Sequence, residues 1–146
     1  MQKEIITIDA AQTKKLGVAL AQEVIASGVV CLSGELGAGK TTFTQGLLEG
    51  LGLEGPFTSP TFLIMKEYKR EISNDKLQLQ NVYHIDAYRI EKNDILALGW
   101  EEMVANKNNI IIIEWAERVK EIIPKSALWI DFGWMGEEER RITLSN

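Results

Sequence analysis

The sequence predicts an α/β fold with a mixed, mostly parallel central sheet and antiparallel hairpins. Two short apolar runs, at residues 29–32 and 110–113, are rich in β-branched side chains and too short for helices, so they indicate buried strands. Segments with helical periodicity lie between the predicted strands, and polar turns separate two pairs of strands, as in hairpins. A chain of 146 residues has room for one domain with a substantial core, so we expect a single domain over residues 1–146.

The first two predicted elements are a strand and an amphipathic helix. Residues 3–8 indicate a short strand. Asp9, followed three residues later by Gln12, resembles a capping box at the start of a helix. Apolar residues then recur at every fourth position as far as Ser27-Gly28, namely Leu16, Leu20 and Val24.

Residues 29–33 form the next predicted strand, and a glycine-rich loop follows it directly. Gly34, Gly39, Lys40 and Thr41 occupy every fixed position of the phosphate-binding pattern G-x-x-x-x-G-K-[ST]. Glycines let backbone N–H groups converge on phosphate oxygens, the lysine can reach the terminal phosphates, and the threonine hydroxyl can ligate Mg²⁺. A helix that begins near Lys40 presents free N–H groups to the same anion. The sequence therefore predicts a nucleotide-binding, P-loop NTPase-like domain.

The remaining elements are predicted from apolar spacing and from residues that favour turns. A helix over Phe43, Leu47 and Leu51 ends at Gly50 and Gly52, and a hairpin follows with strands at residues 61–68 and 77–85 around a polar turn at residues 73–75. Next come a helix containing Ile95, Leu98 and Met103 and the buried strand at residues 110–113. A short helix at residues 115–121 is stopped by Pro124, and a hairpin at residues 127–132 and 140–144 closes the domain.

Composition and charge argue against several classes of protein. The net charge is −5 and the longest basic clusters are pairs such as Lys69-Arg70, so we expect no direct, high-affinity contact with nucleic acid. Cys31 is the only cysteine, which excludes an internal disulfide. No apolar run has the length of a membrane span and the N-terminus lacks the apolar region of a signal peptide, so we expect a cytoplasmic protein without membrane contact. The charged run at residues 137–141 is interpreted as a solvated turn.

Two acidic residues at strand ends are candidates to complete the site. Asp86 follows the strand that ends at Ile85, and Glu114 follows the isoleucine run. In nucleotide hydrolases such carboxylates hold Mg²⁺ and place the attacking water, because the crevice opens at the carboxyl ends of the strands. Two alternatives stay open: Glu114 as an acid exposed to water, and Asp86 as a helix cap or a partner of Arg89.

Four short motifs are more distinctive together than the phosphate loop alone. They are Gly34-Glu35-Leu36-Gly37-Ala38-Gly39-Lys40-Thr41-Thr42, Ser59-Pro60-Thr61, Tyr83-His84-Ile85-Asp86-Ala87-Tyr88-Arg89 and Ile113-Glu114-Trp115. In this combination the chain resembles the bacterial TsaE family over nearly its whole length. The resemblance implies an ATPase, slow in isolation, that assists the synthesis of threonylcarbamoyladenosine in tRNA beside two other proteins, TsaD and TsaB. Those partners would carry the transfer chemistry, and this chain would meet tRNA only indirectly, through the complex.

The resemblance also implies roles for individual residues. Lys40, Asp86 and Glu114 would be catalytic, with Lys40 on the β- and γ-phosphates. Thr41 and Glu114 would hold Mg²⁺, with Asp86 near the metal or its water. The other residues implied to bind ATP are Glu35, Leu36, Gly37, Ala38, Gly39 and Thr42 in the loop, Thr13 and Glu117 at the adenine pocket, and Thr61, Trp115 and Arg140.

Several of these residues keep a second interpretation. Thr61 either senses the γ-phosphate or belongs to a loop closed by Ser-Pro turn chemistry. Trp115 lies near the nucleotide or a partner surface, or it belongs to the core. His84 orients Asp86 or fills the core, since no second ligand stands at metal-binding spacing. Arg89 stabilises charge, contacts a partner or pairs with a neighbouring acid.

Three other functions are compatible with a phosphate loop. A regulatory GTPase needs an Asn-Lys-x-Asp element, but residues 106–109 read Asn-Lys-Asn-Asn and no Asp-x-x-Gly switch follows a strand. A small-molecule kinase needs a substrate lid with several arginines, which this chain lacks. A nucleotide-gated binding module stays open, in which ATP loading rather than turnover changes the loop at residues 58–61 and hence partner affinity.

Overall fold

A computed structural model describes residues 2–57, 64–71 and 79–146 of the chain. The strands are β1 (Gln2–Thr7), β2 (Val29–Gly34), β3 (Met65–Glu71), β4 (Leu79–Asp86), β5 (Ile110–Glu114), β6 (Leu128–Trp134) and β7 (Arg140–Ser145). The helices are α1 (Ala10–Ala19), α2 (Ala21–Ser27), α3 (Lys40–Gly50), α4 (Lys92–Leu96), α5 (Trp100–Ala105) and a 3-10 helix (Ala116–Ile122).

In the described part of the chain the strands form one 7-stranded mixed sheet in the order β1-β7-β6-β2-β5-β4-β3. The central pairs β6-β2, β2-β5 and β5-β4 are parallel, whereas the outer pairs are antiparallel. This arrangement confirms the predicted α/β class with a mixed sheet that is parallel at its centre. Parallel pairing also brings the carboxyl ends of β2, β4 and β5 to one edge of the sheet, where ligands bind in open α/β folds.

The core lies on both faces of the sheet because the central strands are apolar on both sides. On one face Leu32 and Ile112 pack in a cluster with Phe43 and Leu47 of α3. On the other face Ile113 packs among residues of α5 and the 3-10 helix. Because side chains alternate along β5, this strand packs against α3, which follows the phosphate loop, on one face and against the segment after Glu114 on the other face.

Helices α1 and α3 approach each other closely through glycines. A Cβ at Gly46 would lie 1.9 Å from the backbone oxygen of Lys14, and one at Gly17 would lie 2.3 Å from the backbone oxygen of Phe43. Neither position has room for a larger residue. This close packing fixes α1 beside the N-terminal end of α3, where the phosphate loop ends.

Two predicted helices are divided in the structure. The helix predicted up to Ser27-Gly28 bends at Leu20, whose φ of −89° and ψ of 2° separate α1 from α2. The bend allows Leu20 and Val24 to pack in the same core cluster. The helix predicted after Arg89 becomes α4 and α5, because Gly99 between them has a φ of 90°.

Other boundaries differ by smaller amounts. Asp9 caps α1 as predicted, its Oδ1 accepting from the Gln12 N–H at 2.8 Å. The helix predicted at residues 115–121 is a 3-10 helix interrupted at Val119, whose φ of −129° is not helical. The predicted strand at residues 61–68 is observed as β3 from Met65 onward, while residues 61–63 and the turn at residues 73–75 lie outside the described residues. Within the described ranges, no helix is long and apolar enough to cross a membrane.

Candidate nucleotide-binding site

A cavity of about 680 Å³ lies beside the phosphate loop, a volume suited to a small-molecule ligand. It is bounded by the start of α1, the loop and start of α3, the segments after β4 and β5, and the turn between β6 and β7. The lining residues are Ala10, Thr13, Leu36, Gly37, Gly39, Lys40, Thr41, Thr42, Asp86, Tyr88, Arg89, Glu114, Trp115, Glu137, Glu138 and Arg140.

The backbone of the loop has a shape that favours glycine. Gly34, Gly37 and Gly39 have φ values of 126°, 77° and 108°, which side chains with a Cβ rarely adopt. At Gly34 a Cβ would also lie 2.3 Å from the backbone oxygen of Phe132. The glycine pattern in the sequence thus corresponds to a loop conformation that other residues would disrupt.

Lys40, the first residue of α3, is 5% exposed and directs its ammonium group back into the loop. The Nζ donates to the carbonyl oxygen of Gly34 and, at 2.8 Å, to that of Glu35. Burial lowers the pKa of Lys40, while the nearby charges of Glu117 and Glu114 act in the opposite direction. The ammonium is therefore held within reach of the cavity by polar partners that partly offset its desolvation.

Trp115 forms one wall of the cavity in a strained backbone conformation. Its φ of 61° makes it the one residue other than glycine with a positive φ in the described part of the chain. The Lys40 Nζ lies 3.9 Å from the centroid of the Trp115 ring, and the Tyr88 ring centroid lies 4.8 Å from it. Two of the interpretations of Trp115 apply together: the residue lines the cavity, and it packs against the core cluster that contains Ile113.

The two strand-end acids lie directly opposite each other. Asp86 and Glu114 are paired in the β4–β5 register as the last residues of their strands. Asp86 accepts a hydrogen bond from the Tyr88 N–H at 2.9 Å, whereas Glu114 is 3% exposed with its Oε2 2.7 Å from the Nε2 of His84. Of the two interpretations of His84, burial agrees with a place in the core, since the side chain is 2% exposed; its hydrogen-bond partner is Glu114 and not Asp86.

The oxygen donors around the cavity are compatible with Mg²⁺. Across residues 2–57, 64–71 and 79–146 there is no group of three or more His, Cys, Asp and Glu side chains arranged to hold a metal ion. The hydroxyl of Thr41 and the carboxylates of Asp86 and Glu114 nevertheless line one cavity. Mg²⁺ in nucleotide sites takes one or two carboxylates, substrate phosphates and water, so this donor set fits it.

The structure brings most of the predicted site residues together and separates a few. Ala38 is buried in the loop, and neither Ala38 nor Glu35 lines the cavity. Glu117, expected at the adenine pocket, does not line it either; its Oε2 accepts from the Gly34 N–H at 3.1 Å, so it supports the loop from behind. Thr61 lies outside the described residues.

Several lining residues were absent from the predicted set. Ala10 and Tyr88 are of this kind, although Tyr88 belongs to the distinctive motif at residues 83–89. Glu137 and Glu138, interpreted as a solvated turn, also reach the cavity. Arg140, a predicted site residue, connects the turn that contains Glu137 and Glu138 to the phosphate loop. Its guanidinium donates to backbone oxygens of the turn and, at 3.4 Å, to the backbone oxygen of Gly37.

Comparison with known proteins gives consistent matches. A family model described as threonylcarbamoyl adenosine biosynthesis protein TsaE matches residues 7–142. The tRNA threonylcarbamoyladenosine biosynthesis protein TsaE of Bacillus subtilis is 37% identical over 139 residues, covering 95% of this chain and 82% of the relative. The protein of the same name from Streptomyces coelicolor is 39% identical over 142 residues, covering 90% of this chain and 88% of the relative. The crystal structure of YdiB from Bacillus subtilis superposes with a TM-score of 0.71 at 33% identity, covering 99% of this chain and 84% of that one.

Proposed function

This chain belongs to the TsaE family, and we propose that it is a Mg²⁺-dependent ATPase that supports the formation of threonylcarbamoyladenosine in tRNA. The relatives that it matches over most of their length carry the name of this biosynthesis. The geometry of the cavity supports the ATPase part of the proposal.

One observation carries that part: a lysine, a hydroxyl and two carboxylates line the same cavity. The residues are Lys40, Thr41, Asp86 and Glu114. A phosphate loop alone accounts for binding, whereas carboxylates at the adjacent strand ends supply what hydrolysis needs. The absence of an Asn-Lys-x-Asp element favours ATP over GTP.

Each residue has a defined task in the proposed reaction. Lys40 pairs with the β- and γ-phosphates, and the loop N–H groups and the start of α3 bind the remaining phosphate oxygens. Thr41 and Glu114 hold Mg²⁺, which when bound offsets negative charge on the phosphates. We assign to Asp86, which is more exposed than Glu114, the task of orienting the attacking water.

A nucleotide-gated binding module is the second candidate function. It is favoured by the contacts of Lys40, since a phosphate that pairs with this ammonium must compete with the carbonyl oxygens of Gly34 and Glu35 and with the Trp115 ring. Binding of ATP alone would then rearrange the loop and Trp115, and so alter the surface that a partner meets. In this function, hydrolysis of ATP only returns the loop and Trp115 to the arrangement they have without ATP.

We further propose that the partners are TsaD and TsaB and that tRNA is reached only through them. The net charge of −5 disfavours direct binding to a phosphate backbone. Apolar side chains are exposed around the cavity: Leu36 is 72% exposed and Trp134, which lies next to Gly37, is 49% exposed. Exposed apolar surface of this kind is typical of a protein–protein contact.

The proposal is tested by reconstitution. The purified chain should release phosphate from ATP with Mg²⁺ but not with EDTA, and less efficiently from GTP. Added to TsaD, TsaB, tRNA and the remaining substrates, it should increase threonylcarbamoyladenosine formation. Loading this chain with a non-hydrolysable ATP analogue before it is added distinguishes the two functions. An unchanged amount of threonylcarbamoyladenosine favours the gated binding module, whereas loss of this product favours the ATPase. A chain without effect on product formation contradicts both.

A further inference from the structure

His84 occupies a position in β4 that an apolar residue would be expected to fill. It is 2% exposed, and side chains alternate along the strand, so His84 shares a face with Val82. Val82 packs in the cluster that contains Phe43 and Leu47 of α3. The imidazole therefore lies on the face of the sheet that α3 covers.

The ring makes one hydrogen bond among the described residues. Its Nε2 lies 2.7 Å from the Oε2 of Glu114, while its Nδ1 is buried without a partner in residues 2–57, 64–71 and 79–146. A carboxylate that holds Mg²⁺, the role proposed for Glu114, is ionised and only accepts, so in that state the Nε2–H is the donor. A buried histidine with one unpaired nitrogen is a poor core filler, because an apolar side chain of similar size would avoid the cost of desolvating that nitrogen.

The strand register explains why His84 reaches Glu114. In the parallel β4–β5 pair His84 is opposite Ile112, and Asp86 is opposite Glu114. His84 and Glu114 are therefore diagonal neighbours on one face of the sheet, a separation that long side chains can bridge. One oxygen of Glu114 is thus hydrogen-bonded to His84, while the same side chain lines the cavity that Thr41 also lines.

We propose that His84 is a positioning residue for the metal site: by fixing one oxygen of Glu114, it orients this carboxylate toward Thr41 and increases the affinity for Mg²⁺. The inference rests on the proposed function, in which Glu114 and Thr41 hold the metal. Hydrogen-bonded partners that orient metal ligands contribute about 10- to 100-fold to metal affinity or activity. A histidine that only filled the core would contribute to stability and leave metal affinity unchanged.

The test compares four variants. His84→Leu removes the donor and keeps an apolar side chain. His84→Gln keeps an amide N–H at about the reach of Nε2, whereas His84→Asn has one only at the reach of Nδ1. Val82→Ala is the matched control, since it weakens the same face of β4 without touching Glu114.

Three quantities are measured for each variant and for the unmodified chain. The first is Mn²⁺ binding in the presence of a non-hydrolysable ATP analogue, by electron paramagnetic resonance. The second is the affinity for the same analogue in EDTA, and the third is the melting midpoint. Phosphate release as a function of Mg²⁺ concentration adds a functional readout.

We expect His84→Leu and His84→Asn to weaken Mn²⁺ binding by about 10- to 100-fold, with unchanged analogue affinity in EDTA. His84→Gln should bind Mn²⁺ more tightly than either. Val82→Ala should melt lower than the unmodified chain and bind Mn²⁺ normally. His84→Leu leaves the buried Glu114 carboxylate without its hydrogen bond, so it should also melt lower, but its loss of Mn²⁺ affinity should be far larger than that of Val82→Ala at a similar loss of stability. This pattern separates positioning from stability.

Two results would overturn the inference while leaving the proposed function intact. One is Mn²⁺ binding by His84→Leu that equals that of the unmodified chain. The other is a loss of Mn²⁺ affinity in all variants, Val82→Ala included, in proportion to their loss of stability. If the unmodified chain binds neither the analogue nor Mn²⁺, the proposed function fails and the inference fails with it.

Discussion

The ammonium group of Lys40 lies 3.9 Å from the centroid of the Trp115 ring. The residue that the phosphate loop supplies for the nucleotide is thus in contact with the residue that follows the strand-end acid Glu114. A cation over an indole face is stabilised by about 0.5–2 kcal/mol, more when desolvated, and both residues here are partly or fully buried. The contact links the loop after β2 to the segment after β5.

Lys40→Ala should weaken ATP binding by about 10- to 100-fold, because it removes a charged hydrogen-bond donor from the phosphates. The measurement is calorimetric titration with ATP and Mg²⁺. Lys92→Ala is the control, since Lys92 pairs with Glu121 at 2.9 Å and does not line the cavity. Unchanged affinity in Lys40→Ala would argue against the phosphate-loop assignment.

Glu114→Gln should keep the fold and reduce Mg²⁺-dependent phosphate release at least about tenfold, because the amide is a weaker metal ligand than the carboxylate. Initial rates at saturating ATP, with circular dichroism to verify folding, provide the measurement. Asp86→Asn is measured in parallel. Normal turnover in Glu114→Gln together with lost turnover in Asp86→Asn would mean that Asp86, and not Glu114, is the metal ligand.

Trp115→Gly should be more stable than Trp115→Ala by about 1 kcal/mol. Both variants remove the ring, but only alanine has to adopt the left-handed φ of 61° with a Cβ. The free energy of unfolding from urea titrations measures the difference. Equal stabilities would mean that the segment relaxes to a negative φ once the indole is gone.

Gly46→Ala should destabilise the chain by roughly 1–3 kcal/mol, because its Cβ would meet the backbone oxygen of Lys14 and force α1 away from α3. ATP binding should weaken as well, since α3 begins at Lys40 and α1 contributes Thr13 to the cavity. Gly133→Ala, whose Cβ would lie 3.8 Å from the nearest atom, is the matched control in urea unfolding. A neutral Gly46→Ala would show that the two helices separate without cost.

Cys31 should make stability depend on alkaline pH. Burial raises the pKa of this thiol from 9.0 to about 12, so above pH 9 the unfolded chain loses a proton that the folded chain keeps. Stability should then fall between pH 9 and 12, by up to about 1.4 kcal/mol per pH unit. The measurement is the difference in unfolding free energy between the unmodified chain and Cys31→Ala, in which other titrating groups cancel. A difference that is constant with pH would contradict the prediction.

Much of the fold was predictable because its signals are local. The β-branched run at residues 110–113, the apolar strand before Gly34 and the Asp9 cap each depend on neighbouring residues, and each is observed near its predicted position. Boundaries that depend on packing were less predictable. The bend at Leu20 and the division at Gly99 lie next to side chains that are buried in the two core clusters, Val24 in one and Trp100 in the other.

Short runs of consecutive residues were enough to predict a nucleotide ligand and to identify the family, because the phosphate loop and the other motifs are local. Which side chains meet across elements depends on the fold. It directs His84 to Glu114 rather than Asp86, Glu117 to the Gly34 N–H rather than the cavity, and Lys40 to the Trp115 ring. These contacts depend on strand register and helix packing, which bring together residues that are 30 to 83 positions apart in the chain.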